Sequence, residues 1–156
     1  MRKKEFNGVC RCGEVKIIVK KPPIVRLYCH CLVCREVYGK AFSDMTLAWS
    51  SSIDIDDVSK IRFKKQRFFP ISVKCGTCKT CQHPVAGYSM PLSFFNIALI
   101  PSYMYQQQTD VPESSGHIFY HSRVCDVEDD LPKYYKFLGS ELAVARFVLS
   151  AVTGFA

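Results

Sequence analysis

The stretch Cys29-His30-Cys31-Leu32-Val33-Cys34 places three cysteines close together, and two further cysteine clusters lie before and after it. These are Cys10-Arg11-Cys12 and Cys75-Gly76-Thr77-Cys78-Lys79-Thr80-Cys81. Thiolates at such short spacings can approach one ion from a tight turn, and zinc prefers four such ligands in a tetrahedron. The clusters therefore predict zinc binding, because buried thiols that serve only as small hydrophobes have no reason to recur at ligand spacing.

A short cysteine pair is only half of a zinc site, so the clusters must combine. Cys10 and Cys12 could join two cysteines of the third cluster in a closed site that ties the N-terminal segment to the middle of the chain. Cys29, Cys31 and Cys34 would then hold a second zinc with three protein ligands. Three ligands leave a position for water or substrate, as in catalytic zinc sites. The ligand count thus predicts one structural and one reactive site.

Length and composition predict a single domain over residues 1–156. The chain has 48% hydrophobic residues and a formal charge of +7, so it can form a core. Basic charge can indicate nucleic acid, but part of it balances the thiolates of the two zinc sites, and nucleic acid is not an expected partner. Neither a signal peptide nor an apolar run of membrane-spanning length is visible. We therefore expect a cytoplasmic protein with reduced cysteines and no membrane association.

Alternating short apolar runs predict antiparallel sheets. Val15, Ile17 and Val19 alternate with lysines, the period of a half-buried strand. Similar runs, separated by Gly and Pro, cover residues 24–28, 41–49, 60–65, 71–74, 95–100 and 117–123. The expected fold is mainly β.

One helix is predicted near the end, over residues 141–152. Ser140 is the expected N-cap, and Gly154 is the expected stop. The segment is apolar nearly all round, a pattern typical of a buried helix. We expect it to pack on its own domain, and a contact in a homodimer is the alternative.

Five motifs in the chain resemble those of the glutathione-dependent formaldehyde-activating enzyme family, which also includes centromere protein V. They are Gly8-Val9-Cys10-Arg11-Cys12-Gly13-Glu14-Val15, Cys29-His30-Cys31-x-x-Cys34-Arg35-x-x-x-Gly39-x-x-Phe42, Cys78-x-x-Cys81, His117-Ile118 and Leu131-Pro132. The resemblance covers residues 8–135. It implies a zinc-bearing β-tent fold and a carbon–sulfur lyase activity, and the family's founding reaction joins formaldehyde to glutathione to give S-(hydroxymethyl)glutathione.

The resemblance also implies the two ligand sets. The structural zinc would take Cys10, Cys12, Cys78 and Cys81, and the second zinc would take Cys29, Cys31 and Cys34.

The third cluster departs from the family pattern. Gln82 stands where the family usually has glycine, and Cys75 creates a pair with Cys78 that competes with the pair of Cys78 and Cys81. Cys125 lies near the place of a common family tryptophan, and we expect it to be a small buried hydrophobe.

Four side chains are candidates for substrate binding. Arg35 and Tyr38 directly follow the second cluster, and the planar fork of Arg35 could pair with a carboxylate of glutathione. His117 and Arg123 lie on one face of the strand predicted there. For each residue a packing or surface role is the alternative. His30 should point away from a metal held by both of its neighbours.

Two functions from different classes fit these patterns. The first is a zinc-dependent carbon–sulfur lyase that acts on adducts of small thiols such as glutathione. The alternative is a non-catalytic, zinc-stabilised binding module for an acidic polymer such as nucleic acid or a microtubule. That alternative rests on the basic run of residues 60–67, in which phenylalanines are interleaved. A solvated strand face over an aromatic core is the simpler interpretation of this run.

Overall fold

The computed structural model describes residues 4–68, 71–90 and 96–154. Seven strands form the larger sheet. In spatial order they are β10 (Ser114–Ile118), β3 (Val25–Cys29), β4 (Ser43–Trp49), β9 (Ile97–Pro101), β8 (Pro84–Met90), β7 (Ile71–Cys78) and β6 (Ile61–Phe68). A smaller antiparallel sheet holds β1 (Phe6–Val9), β2 (Lys16–Val19) and β5 (Ile53–Ile55).

The central strands of the larger sheet are buried on both faces, and successive residues along each strand point to opposite sides. On β4, Ala48 packs into the core that the smaller sheet covers, whereas Met45 and Leu47 pack into the core on the other face. Val144 and Val148 of the C-terminal helix cover that second core. Each core also holds one group of cysteines, so the two predicted metal sites lie on opposite faces of one sheet.

The predicted mainly β fold of antiparallel sheets is confirmed, and the sheets are two in number, with one exception to the antiparallel order. β10 runs parallel to β3. The strand expected over residues 117–123 begins earlier, at Ser114, and ends at Ile118, because Phe119 has a φ of 52° and the chain then makes a 3₁₀ turn over Tyr120–Ser122. Phe95, which begins one predicted run, and Phe69, one of the phenylalanines near the basic run, lie outside the described residues.

Two helices cover the second core, and the first was not predicted. α1 spans Leu32–Tyr38 and starts within the second cysteine cluster. α2 spans Phe137–Thr153, so it begins earlier than the predicted residue 141. The predicted N-cap is wrong, because Lys136 holds that position. The Ser140 hydroxyl instead accepts a hydrogen bond of 2.8 Å from the Phe119 N–H.

α2 ends as predicted, but it is buried on one side only. Gly154 follows it in the left-handed conformation, with a φ of 68°. Ala143, Val144 and Val148 are buried, while Leu142 and Leu149 are exposed. The expectation of a helix buried all round is therefore wrong. Within the described residues, the chain has no helix of the length and apolar character needed to span a bilayer.

Candidate metal centres

Four cysteines from two turns form the four-thiol cluster (Cys10, Cys12, Cys78 and Cys81). Their sulfurs all lie within 4.8 Å of one another. Cys10 Sγ is 3.4 Å from Cys12 Sγ and 3.8 Å from Cys78 Sγ, and the last two sulfurs are 3.6 Å apart. Sulfurs about 2.3 Å from a tetrahedral zinc ion lie about 3.8 Å from one another, so this cluster fits that ion. Cys81, and not Cys75, is the fourth member of the group.

Backbone amides already favour negative charge in the four-thiol cluster. The Val15 N–H donates to Cys10 Sγ over 3.2 Å. Burial opposes ionisation of Cys78, but N–H groups from Cys81 and the residue before it outweigh burial and lower the pKa of Cys78 to about 7. A backbone N–H also acts on Cys12, yet burial and the neighbouring thiols raise its pKa to about 12. Further thiolates therefore need a cation to balance them.

Three cysteines at one end of β3 form the three-thiol cluster (Cys29, Cys31 and Cys34). Cys29 is the last residue of β3, Cys31 is the N-cap of α1, and Cys34 lies in the first turn of that helix. The Cys34 N–H donates to Cys31 Sγ over 3.4 Å. The three sulfurs lie within 4.8 Å of one another, and in the described part of the chain no other cysteine, histidine or carboxylate belongs to this group. α1 is thus the element that converts the spacing of Cys31 and Cys34 into a shared site.

The three-thiol cluster holds one negative charge readily and resists more. Hydrogen bonds from the thiols of Cys29 and Cys34 lower the pKa of Cys31 to about 3. The hydrogen bond to Cys31 and burial raise the pKa of Cys29 well above its usual value. The pKa of Cys34 is raised as well: Cys29 opposes the shift, but the bond to Cys31 and burial outweigh it. A divalent ion that accepts thiolate ligands reverses this balance, so the cluster fits zinc.

A narrow cavity of about 20 Å³ lies beside the three-thiol cluster. Cys34, Tyr38 and Cys75 line it together with apolar side chains. Its volume is close to that of one water molecule. Burial, and then the charge of Cys34, raise the pKa of Tyr38 well above its usual value, so the Tyr38 hydroxyl stays protonated. Cys34 of the cluster therefore borders a small, mostly apolar space that Tyr38 also lines.

Two open depressions share walls with the narrow cavity. The Tyr38 hollow, of about 220 Å³, shares Tyr38 and Pro84 with it and is also lined by Arg11, Lys40 and His83. The second is the Cys75 groove, of about 260 Å³. It shares Val37 and Cys75 with the cavity and is also lined by Arg62, Lys64 and Glu36.

A buried row of hydrogen-bonded side chains supports the loop that carries Cys29 and Cys31, and we call this row (His30, His117 and Asp129) the histidine chain. His30 Nε2 lies 2.9 Å from His117 Nδ1, and His117 Nε2 lies 2.8 Å from Asp129 Oδ2. Lys133, and after it His117, lower the pKa of Asp129 to about 2. Asp129 is therefore a carboxylate that accepts from His117 Nε2–H, which leaves His117 Nδ1 to accept from His30 Nε2–H.

His30, the last member of the histidine chain, is neutral. Burial is the main cause that lowers its pKa to about 4. Its Nδ1 atom is buried without a hydrogen-bond partner among the described residues. As expected, neither ring nitrogen of His30 belongs to the three-thiol group.

The candidate substrate residues are spread over different environments. Tyr38 lines the narrow cavity, and Arg35 is half-buried, with a buried Nε atom that lacks a partner in the described structure. His117 is fully buried in the histidine chain. Arg123 lies beyond the end of β10, pairs with Asp126 and stacks over the Tyr120 ring. His117 and Arg123 therefore do not share a strand face, and their roles toward substrate stay predictions.

The two unassigned cysteines differ in exposure. Cys75 is half-buried and packs against the second core, where it lines both the narrow cavity and the Cys75 groove. Cys125 is exposed, so the expectation that it is a buried hydrophobe is wrong. All nine cysteines are free thiols.

Sequence reasoning did not identify Asp129, Arg11 or Lys40. Asp129 lies in the acidic run Asp126-Val127-Glu128-Asp129-Asp130, and nothing in that pattern distinguishes it from its neighbours. Arg11 does lie between two predicted ligands, and Lys40 closely follows Tyr38. Their closeness to the motifs was the available signal.

Comparison with known proteins assigns the chain to a family. No curated protein sequence matches the chain closely enough to count as a relative. A family model described as glutathione-dependent formaldehyde-activating enzyme matches residues 5–122, a span that contains both cysteine clusters. The chain belongs to the glutathione-dependent formaldehyde-activating enzyme family.

Proposed function

We propose that this protein is a zinc-dependent carbon–sulfur lyase that makes and breaks adducts between formaldehyde and a small anionic thiol related to glutathione. Family membership supports the reaction type. The observation that carries the proposal is the contrast in ligand number, because the three-thiol cluster has one member fewer than the four-thiol cluster. An ion with three protein ligands keeps one position for a reactant.

The reaction joins a thiol to an aldehyde with no other reagent. The sulfur forms a bond to the aldehyde carbon, the carbonyl electron pair moves to oxygen, and the thiol proton ends on that oxygen. Zinc bound to Cys29, Cys31 and Cys34 would supply a Lewis acid that keeps an incoming thiol ionised. The protonated Tyr38 hydroxyl would donate a hydrogen bond to the aldehyde oxygen, where negative charge develops.

The narrow cavity and its surroundings support a division between the two reactants. A space of about 20 Å³ accepts a one-carbon aldehyde and excludes bulk water. The thiol compound is larger and must lie in an adjoining depression. We assign it to the Tyr38 hollow, because Arg11, Lys40 and His83 line that hollow and none of the described residues in its lining is a carboxylate. The Cys75 groove is less suited to carboxylates, since Glu36 faces the same space as Arg62 and Lys64.

Metal stoichiometry together with exchange kinetics tests the proposal. The wild-type protein should hold two zinc ions and accelerate the exchange of ¹³C-formaldehyde with glutathione, measured by magnetization-transfer NMR. Cys34→Ser should hold one ion, stay folded and lose the acceleration. Arg11→Glu should keep both ions and bind the thiol at least tenfold more weakly, and Arg62→Glu is the matched change in the Cys75 groove. One zinc ion in the wild type, unaffected by Cys34→Ser, would exclude the enzyme.

We place the activity in a reducing compartment such as the cytoplasm. The nine free thiols support this assignment, because oxidising compartments favour disulfides.

A second function is favoured by one feature, the exposed basic residues of β6. This strand is at the edge of the larger sheet, and Arg62 and Lys64 on one of its faces and Lys65 and Arg67 on the other are all exposed. Such a basic edge can bind an acidic polymer through the charges of the polymer backbone. Retention on nucleic acid or microtubules that falls with salt, and falls further in Lys64→Glu/Lys65→Glu, would support a binding module. An affinity unchanged by that double substitution would count against it.

A further inference from the structure

One face of α2 carries large apolar side chains in solvent. Leu138, Leu142, Leu149 and Val152 are 58–68% exposed, and Ala145 between them is exposed as well. Isolated exposed leucines are ordinary on protein surfaces, but a contiguous row of them indicates an interaction site. We call these five residues the α2 seam.

The spacing of the α2 seam is that of a coiled coil. Its members follow one another at intervals of four, three, four and three residues, which is the repeat by which two helices keep one stripe in contact. At about 100° per residue, the centre of the seam lies roughly 130° around α2 from the centre of the buried Ala143, Val144 and Val148. A second helix can therefore lie along the seam without displacing the domain beneath α2.

Two charged residues flank the seam on opposite sides. Glu141 precedes Leu142, and Arg146 follows Ala145. They are five residues apart, so they do not face each other within one helix, where partners are three or four apart. In two parallel helices, however, positions separated by five residues meet across the interface. Burial raises the pKa of Glu141, and this residue has no ion-pair partner in the part of the chain that the structure describes.

We propose that a second copy of this chain covers the α2 seam, with the two α2 helices parallel. In that arrangement each seam residue meets its own counterpart, and each Glu141 meets Arg146 of the other copy. An antiparallel pair would instead bring Glu141 toward Glu141 and Arg146 toward Arg146. The positions of Glu141 and Arg146 thus favour a second copy of this chain as the partner, and a parallel orientation of its α2 helix.

Sedimentation velocity over a range of protein concentrations tests the proposal on the zinc-loaded full chain. The wild type should form a dimer, and Leu142→Asp should be monomeric at concentrations where the wild type is dimeric. Ser150→Glu is the matched control, because Ser150 is exposed on the same helix about 120° from the seam. Unchanged zinc content and circular dichroism would show that each variant is folded.

Charge reversal tests the direction of the helices. Glu141→Arg and Arg146→Glu alone should each weaken dimerisation about tenfold, since attraction becomes repulsion at two symmetric places. The double variant should recover the wild-type affinity. A wild type that stays monomeric at every concentration would overturn the proposal, as would a dimer that Leu142→Asp leaves intact. Single reversals without effect would overturn the parallel arrangement.

Discussion

The four-thiol and three-thiol clusters use the same ligand chemistry in different surroundings. The first joins two turns that are far apart in sequence and lies against the core between the two sheets. The second is built from a strand end and one short helix on the other face of the larger sheet, beside a small cavity. If both clusters bind zinc, as we propose, the elements that supply the cysteines decide what each zinc site can do. Ligands from distant segments hold the fold together, whereas ligands from one local loop leave a side open.

The largest expected effect separates these two roles. Cys78→Ser should leave the chain unfolded, because a structural zinc contributes on the order of 10 kcal/mol, which is comparable with the whole stability of a domain. Cys34→Ser should remain folded, since its cluster closes no long loop. Circular dichroism melts and zinc analysis of both variants measure the difference. Equal destabilisation of the two would refute the division of roles.

Next in size is the effect of the hydroxyl group in the narrow cavity. Tyr38→Phe should lower turnover about a hundredfold, because one hydrogen bond to the developing oxyanion is lost. Both zinc ions should remain. Tyr103→Phe is the control: Tyr103 lines the same Tyr38 hollow but donates its hydroxyl to the Pro84 carbonyl. Equal rates for the two variants would exclude Tyr38 from the reaction.

A smaller effect is expected from the histidine chain. His117→Phe removes the hydrogen bond that fixes His30 between Cys29 and Cys31. It should weaken zinc binding at the three-thiol cluster about tenfold, as is typical when a group that orients metal ligands is lost. The four-thiol cluster should be unaffected. Competition with a chromophoric chelator resolves the two affinities, and a parallel loss at both clusters would mean that His117 acts only on general stability.

The smallest effect concerns backbone strain at the four-thiol cluster. Gln82 has a φ of 60°, a conformation that costs most residues about 1 kcal/mol and glycine almost nothing. Gln82→Gly should therefore raise the free energy of unfolding by up to about 1 kcal/mol. Gly13 has a φ of 84° in the opposing turn, and no atom lies near its missing side chain. Gly13→Gln should lower stability by a similar amount in urea unfolding, and a change of the same sign in the two variants would contradict the strain argument.

The sequence predicted what depends on spacing and alternation. The cysteine clusters, most strands and the Gly154 stop follow from local rules. α1 escaped prediction because its seven residues, Leu-Val-Cys-Arg-Glu-Val-Tyr, lack the length that makes a helical period visible. The prediction of Ser140 as the N-cap was wrong because its hydroxyl accepts a hydrogen bond from the Phe119 N–H. This contact joins two segments that only the folded structure brings together. The same holds for Asp129, whose partner His117 is recognisable only once β10 and the following loop are folded.

Through α1, the availability of zinc should determine how many protein molecules are active. A seven-residue helix has almost no stability of its own, and this one begins at Cys31, a proposed zinc ligand, and ends at Tyr38, which lines the narrow cavity. An ion that leaves the three-thiol cluster therefore releases the wall as well as the ligands. Zinc starvation should divide the population into fully active and fully inactive copies, so that total activity reports how many molecules hold the ion.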